Sequence, residues 1–176
     1  MDREQGAKVI YISGGQRSGK SAFAEKLVMD RAAEALYIAT AEPSDDPEMQ
    51  LRISKHQQRR GPRWTTVEEP LHLSRPGLAG RTVLIDCVTL WAANALFRCD
   101  GDAAEALALM RQEFEAMCRA EGATLVFVSN EIGLGGVSPD ALQRRFADLQ
   151  GDINQIIAAA ASEAWLVVSG LPLRLK

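Results

Sequence analysis

The chain lacks the usual marks of membrane, secreted and nucleic-acid-binding proteins. None of its apolar runs approaches the roughly 20 residues that a membrane-spanning helix needs. Residues 1–8 are polar and charged, so we expect neither a signal peptide nor a membrane anchor there. The 20 basic and 23 acidic residues give a formal net charge of -3, which provides no general attraction to nucleic acid or to an anionic membrane. Any recognition of phosphate must therefore be local.

Cysteine is also scarce. Cys87, Cys99 and Cys118 are odd in number and show no CxxC spacing, which favours a reducing, cytoplasmic location and small buried hydrophobic roles. The 47% hydrophobic and 24% charged fractions are ordinary for a soluble globular protein. A length of 176 residues suits one core, so residues 1–176 are expected to form a single domain.

The most informative stretch runs from residue 9 to residue 28. Residues 9–13 are typical of a buried parallel strand, and residues 22–28 have helical periodicity. Between them, the spacing of Gly14, Gly19, Lys20 and Ser21 matches a phosphate-binding loop, in which backbone N–H groups and a helix N-terminus surround a phosphate. Lys20 would reach the terminal phosphates and Ser21 would bind Mg²⁺. The alternative, a simple strand-to-helix turn, would make the Lys-Ser pair and both flanks coincidental.

Strand and helix patterns alternate along the rest of the chain. Further buried strands are predicted at residues 36–39, 82–86, 124–128 and 164–168, with an extended piece at 64–67 and an edge strand at 171–175. Helices are predicted at 47–60, from residue 88, at 103–120, and from Pro139 with Ser138 as its cap. The last helix would bury a stripe consisting of Leu142, Phe146, Leu149, Ile153 and Ile156.

These elements predict one doubly wound, mainly parallel α/β sheet flanked by helices. Ligands of such sheets bind beyond the carboxyl ends of the strands. Residues 39–42, Asp86 and residues 129–131 should therefore lie near the nucleotide. An acidic residue at the end of a strand, such as Asp86, is also suited to hold Mg²⁺, directly or through water.

A histidine lies among cations in the predicted helix at residues 47–60. Arg52, His56, and Arg59 or Arg60 share one helical face. Neighbouring cations disfavour protonation of an imidazole, so His56 would keep a nitrogen lone pair near pH 7. Such an imidazole can attack the α-phosphate of a nucleotide and hold the nucleotidyl group covalently. The charge pattern alone favours the simpler interpretation, a solvated basic face that happens to carry a histidine.

Further segments accompany the phosphate loop and His56 in a fixed order: YIAT at 37–40, Arg52-Ile53, WTTVE at 64–68, DCVTLW at 86–91, SNEIG at 129–133 and WLVVSG at 165–170. In this combination, which extends from residue 9 to residue 176, the chain resembles the adenosylcobinamide kinase / adenosylcobinamide-phosphate guanylyltransferase family. The whole set is far more specific than the phosphate loop, which many enzymes share.

The resemblance implies a RecA-like P-loop NTPase fold and a bifunctional enzyme of cobalamin biosynthesis. Such an enzyme phosphorylates adenosylcobinamide with ATP or GTP. It then transfers GMP from GTP to adenosylcobinamide phosphate through a guanylylated histidine, giving adenosylcobinamide-GDP. The residue that matches this histidine is His56, and Lys20 would act in both steps. The resemblance also implies a homo-oligomer such as a trimer.

The resemblance further implies a set of nucleotide contacts: Gly14, Gly15, Gln16, Arg17, Ser18, Gly19, Lys20, Ser21, Ile38, Ala39, Thr40, Gln57, Gln58, Arg59, Arg60, Glu68 and Asp86. Mg²⁺ would be held through Ser21 and Asp86. Some family members have glutamate at the position of Asp86, so the shorter side chain shifts its reach by a methylene length. Two other functions stay open: a P-loop small-molecule kinase in which His56 is a spectator, and a non-enzymatic GTP-binding module.

Overall fold

A computed structural model describes residues 6–42, 54 and 60–176 of the chain. Seven strands in these residues form one sheet: β1 (Lys8–Gly14), β2 (Ala35–Ala39), β3 (Trp64–Glu68), β4 (Thr82–Asp86), β5 (Thr124–Asn130), β6 (Glu163–Val168) and β7 (Leu171–Arg174). The helices are α1 (Lys20–Arg31), α2 (Val88–Arg98), α3 (Ala103–Cys118) and α4 (Ala141–Ala160), with a 3₁₀ turn at Gly133–Gly135.

The sheet has the strand order β3-β2-β4-β5-β1-β6-β7. Every neighbouring pair is parallel except β6 and β7, which form an antiparallel edge hairpin. The register brings the carboxyl ends of the parallel strands to one side of the sheet, since Gly14 pairs with Asn130, and Ala39 pairs with both Asp86 and Glu68. The mainly parallel α/β architecture predicted from the alternating pattern is therefore confirmed.

Both faces of the central strands are buried, which is why these strands read as continuous apolar runs. Ile10, Ile12 and Val126 pack in one cluster with residues of α1. Phe127 and Leu125 face the opposite side and pack in a second cluster with residues of α2, α3 and α4. Full burial of one such side chain stabilises the fold by about 1.5–3 kcal/mol, so this two-sided packing keeps the strand ends in fixed positions.

Several element boundaries differ from the sequence-based expectations. The predicted helix at 103–120 ends at Cys118, and Arg119 is its C-terminal cap. The predicted strand at 124–128 continues to Asn130, and the extended piece at 64–67 is a full parallel edge strand, β3. The predicted edge strand at 171–175 is confirmed as β7 and accommodates Pro172.

The start of α4 also corrects the prediction. The helix begins at Ala141, and its cap is Asp140, whose carboxylate accepts from the N–H of Gln143 at 2.8 Å. Ser138 accepts from the N–H of Asp140 at 3.1 Å and so supports the cap instead of forming it. Because the helix starts two residues later, Leu142 lies in its exposed first turn and is 52% exposed, so its predicted place in the buried stripe is wrong.

The predicted helix at residues 47–60 lies outside the described residues, apart from Ser54 and Arg60. Over the ranges that the structure describes, no helix has both the length and the apolar character to cross a membrane.

Candidate active site

The phosphate loop connects β1 to α1 in the way that its motif requires. Gly14 has no space for a side chain, because a Cβ there would lie 2.5 Å from Val167 O and 2.6 Å from Ser18 Oγ. Gly19 has a φ of 92°, a left-handed conformation that glycine adopts without strain. Gln16 and Arg17 lie exposed at the tip of the loop. The glycines are therefore needed for the shape of the loop as well as for its closeness to a ligand.

Lys20 folds back over the loop. Its side chain is buried, and Nζ donates to Gly15 O at 3.1 Å, which uses one of the three donors of the ammonium group. Burial lowers the pKa of Lys20, and the nearby Asp86 and Cys87 act in the opposite direction. Lys20 is thus held at the loop with Asp86 nearby, a position that suits a lysine that binds terminal phosphates.

The Ser18 hydroxyl is buried under the loop, and no hydrogen-bond partner for it is found among the described residues. The backbone of the same residue is held by the edge hairpin, because Gly170 N donates to Ser18 O at 2.7 Å. A Cβ at Gly19 would approach Gly170 Cα to 3.2 Å. The β6–β7 turn therefore packs against the phosphate loop and supports it. The sequence did not reveal this role, because the contact joins residues far apart in the chain.

Asp86 ends β4 and accepts a hydrogen bond from Tyr37 OH at 2.8 Å. Burial and the Asp86 carboxylate both raise the pKa of Tyr37, so the phenol stays protonated and keeps this bond. The guanidinium of Arg60 stacks over the Tyr37 ring, with Cζ 3.7 Å from the ring centroid. Two nitrogens of that guanidinium, Nε and Nη1, are buried without a hydrogen-bond partner in the described part of the chain. Tyr37 thus links Arg60 to Asp86.

The predicted nucleotide segment consists of Ile38 and Ala39, the last two residues of β2, and Thr40, which directly follows the strand. The side chains of Ile38 and Thr40 are fully buried. The Thr40 hydroxyl donates to Cys87 O and accepts from Cys87 N, each at 2.8 Å. These two side chains therefore contact only the protein interior, and a nucleotide would contact the backbone of this segment.

Cys87 lies beside Asp86 in the same constellation. Burial and the Asp86 charge raise the pKa of its thiol to about 11. The thiol is consequently neutral at pH 7 and a poor nucleophile.

The end of β5 contacts the phosphate loop directly. Asn130 pairs with Gly14 in the sheet, and Glu131 N donates to Gly14 O at 3.1 Å. Burial, together with the charge of Glu131, raises the pKa of Tyr11 to about 12. Residues 129–131 thus lie on the nucleotide side, as the sequence predicted.

A buried polar cluster holds the end of β5 against α4. Ser129 Oγ donates to Asn154 Oδ1 at 2.6 Å, and Gln150 Nε2 donates to Ser129 Oγ at 2.7 Å. Asn154 Nδ2 then donates to Asn130 O at 3.2 Å. Sequence reasoning missed this cluster, although two amides in the otherwise apolar stripe of α4 were a usable signal.

The remaining predicted site residues divide into two groups. Glu68 is exposed at the end of β3, on the same side of the sheet as Gly14 and Asp86. His56, Gln57, Gln58 and Arg59 lie outside the described residues. The structure therefore brings together the loop, Asp86, the end of β2 and Arg60, and leaves the role of His56 a prediction.

Ser21 and Asp86 offer the oxygen donors that suit Mg²⁺. Within the described ranges no group of three or more His, Cys, Asp or Glu side chains could hold a metal. Mg²⁺ is commonly bound through one or two protein oxygens together with substrate phosphates and water, so a protein cage is not required. The donors of this site fit such a shared ion.

Comparison with known proteins identifies relatives over almost the whole chain. The family described as "Cobinamide kinase / cobinamide phosphate guanyltransferase" matches residues 10–175. The bifunctional adenosylcobalamin biosynthesis protein CobU of Escherichia coli is 41% identical over 96% of this chain and 99% of its own length. The corresponding protein CobP of Pseudomonas aeruginosa is 41% identical over 94% of this chain and 95% of its own length.

The fold has a more distant structural relative. An ATPase from the type III secretion system of pathogenic bacteria superposes with a TM-score of 0.53 at 13% identity, over 90% of this chain and 50% of the ATPase. At that identity the likeness concerns the fold alone, which is that of a P-loop ATPase. The phosphate loop, the acidic strand end and the full-length match to close relatives together carry one conclusion: this chain belongs to the cobinamide kinase / cobinamide phosphate guanyltransferase family.

Proposed function

We propose that this enzyme performs both reactions of its family on one nucleotide site formed by residues 1–176 as a single domain. It phosphorylates adenosylcobinamide with ATP or GTP, then transfers GMP from GTP to the resulting phosphate, giving adenosylcobinamide-GDP. The observation that carries the proposal is the phosphate loop with buried Lys20, whose Nζ donates to Gly15 O and which lies near Asp86. This arrangement stabilises negative charge on phosphate oxygens, which both reactions develop.

In the kinase step, the N–H groups of residues 14–19 and the Lys20 ammonium bind the donor phosphates. Ser21 and Asp86 would hold Mg²⁺, which when bound would supply positive charge to offset that of the donor phosphates. The hydrogen bond from Tyr37 keeps Asp86 in place for that role. The substrate hydroxyl attacks the γ-phosphorus, so positioning by the loop supplies most of the catalysis.

In the transfer step, we propose that an imidazole nitrogen of His56 attacks the α-phosphorus of GTP and that pyrophosphate leaves. The cobinamide phosphate then displaces the histidine, which closes the cycle. Support comes from Arg60, which stacks on Tyr37 beside Asp86. His56 precedes Arg60 by four residues, so the chain limits their separation to about 14 Å. Arg60 itself carries buried guanidinium nitrogens suited to phosphate oxygens.

Glu68 is proposed to contact the guanine base. A carboxylate accepts two hydrogen bonds, and guanine offers the N1–H and the 2-amino group on one edge. The exposed position of Glu68 at the carboxyl end of β3 supports this role. Gln57, Gln58 and Arg59 would complete the contacts next to the histidine.

The proposal includes a homo-oligomer such as a trimer and a cytoplasmic setting. Val168, Leu171, Leu173 and Leu175 are all more than half exposed on the edge hairpin, and subunit contact would bury such residues. The three cysteines are free thiols, which suits a reducing compartment.

The decisive experiment is covalent labelling with GTP that carries the label on the α-phosphate. The enzyme should acquire an acid-labile, alkali-stable label, whereas GTP labelled on the γ-phosphate should leave none. His56→Ala should abolish this label and the transfer reaction while keeping the kinase reaction. His72→Ala is the matched control, because the chain has two histidines and His72 pairs with Glu113 at 3.1 Å.

Three results would contradict the proposal. A label that persists in His56→Ala would assign the covalent step to another residue. Kinase activity without any α-label or pyrophosphate release would favour the simple small-molecule kinase. Loss of both reactions with GTP binding retained would favour a binding module.

A further inference from the structure

Asn94 of α2 joins two loops at the carboxyl edge of the sheet. Its Nδ2 donates to Thr40 O at 2.8 Å and to Pro70 O at 2.9 Å. Thr40 directly follows β2, and Pro70 lies two residues beyond the end of β3. One side chain therefore fixes how far these loops lie from each other.

The chemistry of this contact restricts which residue can make it. Both partners are backbone carbonyl oxygens, which only accept, so the amide nitrogen of Asn94 and not its oxygen must face them. The NH₂ group has two donors, and each carbonyl takes one. Aspartate would turn a negative charge towards the same two carbonyls, and leucine would leave them without this partner.

Two other side chains of α2 make contacts of the same kind. Thr89 Oγ1 accepts from the backbone N–H and the side-chain amide of Asn130, at 3.1 and 3.0 Å. Trp91 Nε1 donates to Leu71 O at 2.9 Å. Helix α2 is therefore bonded to the segments that follow β2 and β3 and to the last residue of β5, all on the nucleotide side.

The loops joined by Asn94 flank the end of the site assigned to the base. Ala39 pairs with Glu68 in the sheet, and Glu69 N donates to Ala39 O at 3.0 Å. Among the residues that the structure describes, the next hydrogen bonds that connect these two segments are the two made by the Asn94 amide. The phosphate loop, by contrast, is supported by Gly170 and does not involve Asn94.

We propose that Asn94 is a positioning residue for purine recognition: it holds the ends of β2 and β3 at the separation that guanine requires. This inference rests on the proposed function, in which Glu68 and the segment ending at Thr40 contact GTP. Asn94 contacts no reacting atom, and the triphosphate of the nucleotide is bound by the phosphate loop instead. Its loss should therefore weaken selection of the base and not the binding of phosphate.

The test measures the dissociation constants of GTP, ATP and inorganic tripolyphosphate. Tripolyphosphate represents the triphosphate group of the nucleotide without sugar or base. Loss of two hydrogen bonds in Asn94→Leu should weaken GTP binding by about tenfold or more and reduce the preference for GTP over ATP. Tripolyphosphate binding should change by less than about twofold. Asn94→Asp should be worse than Asn94→Leu, and Asn94→Gln, which keeps both donors, should lose least.

Ser74→Ala is the matched control, because Ser74 lies in the same loop and its hydroxyl donates to Glu113 at 2.7 Å. It should leave all three constants near the wild-type values. If the wild type shows no preference for GTP over ATP, the proposed base site and this inference both fail. If the wild type prefers GTP over ATP and Asn94→Leu keeps this preference, only the role of Asn94 is refuted. The same holds if Asn94→Leu binds GTP and tripolyphosphate more weakly by equal factors. Should Asn94→Leu not fold, the contrast between Asn94→Asp and Asn94→Gln decides the same point.

Discussion

Gly14 offers the sharpest test of the phosphate loop, since the structure has no room for a side chain there. The Cβ of Gly14→Ala would lie 2.5 Å from Val167 O and 2.6 Å from Ser18 Oγ. The serine hydroxyl can rotate away, but Val167 O belongs to the backbone of β6, which pairs with β1 at this position. The two strands must therefore separate locally. Overpacking of this kind costs about 1–3 kcal/mol.

The expected effect can be measured by differential scanning calorimetry. For a chain of this size, each kcal/mol lowers Tm by about 2–4 °C, so Gly14→Ala should melt roughly 2–12 °C below the wild type. Tripolyphosphate should also bind more weakly, because Ser18 and the loop N–H groups move with the strand end. Gly15→Ala is the control, since no heavy atom lies within 4 Å of a Cβ placed there. A Gly14→Ala protein with wild-type Tm and wild-type tripolyphosphate affinity would refute the reasoning.

Two further predictions concern single hydrogen-bonded pairs. The bidentate bonds from Arg31 hold the pKa of Glu163 at about 2, so the stabilisation from this carboxylate is present above its ordinary pKa near 4.5 and is lost as pH falls towards 2. In urea titrations, the stability difference between the wild type and Glu163→Gln should therefore shrink from pH 5 to pH 2, and a constant difference would contradict the assignment. Tyr37→Phe removes the hydrogen bond to Asp86 and should raise the Mg²⁺ concentration for half-maximal activity by about tenfold, with the KM for GTP little changed; an unchanged Mg²⁺ titration would exclude this role.

The sheet could be predicted from the sequence because its signals are local. β1, β4 and β5 are buried on both faces, so each appears as a continuous apolar run that ends at polar residues. The phosphate loop has the same advantage, since strand, glycines and helix follow one another within about 20 residues. β3 was harder to recognise as a strand, because it lies at the edge and most of its side chains are exposed.

Boundaries that depend on competing hydrogen bonds could not be predicted equally well. Ser138 and Asp140 are both good helix caps and lie two residues apart, so the sequence pattern does not choose between them. The carboxylate of Asp140 reaches the N–H of Gln143, and the helix starts accordingly. Periodicity indicates where a helix lies, whereas the geometry of single bonds decides where it begins.

The contacts that shape the site could not be predicted from the sequence, because they join residues far apart in the chain. Asn94 is a polar residue on a helix, which by itself is typical of a solvated face. Its partners are the carbonyls of Thr40 and Pro70, 54 and 24 residues away, and no local pattern reports such a pairing. The support of Ser18 by Gly170 is longer in range still.

The strand order sets the distances between the site residues at the carboxyl edge of the sheet. β5 lies between β1 and β4, and β2 lies between β4 and β3. Neighbouring strands lie about 4.8 Å apart. Asp86 at the end of β4 is therefore two spacings, or about 10 Å, from Gly14 at the end of β1. Glu68 at the end of β3 is four spacings, or about 19 Å, from Gly14. A nucleotide lying along this row would have its terminal phosphates at the loop, its base at β3, and its α-phosphorus between them. Tyr37, on which Arg60 stacks, belongs to β2, three spacings or about 14 Å from the strand of Gly14, and its hydroxyl reaches Asp86. Under the proposed function, a histidine four residues before Arg60 would serve α-phosphate chemistry on this side of the loop, and γ-phosphate chemistry would stay at Lys20.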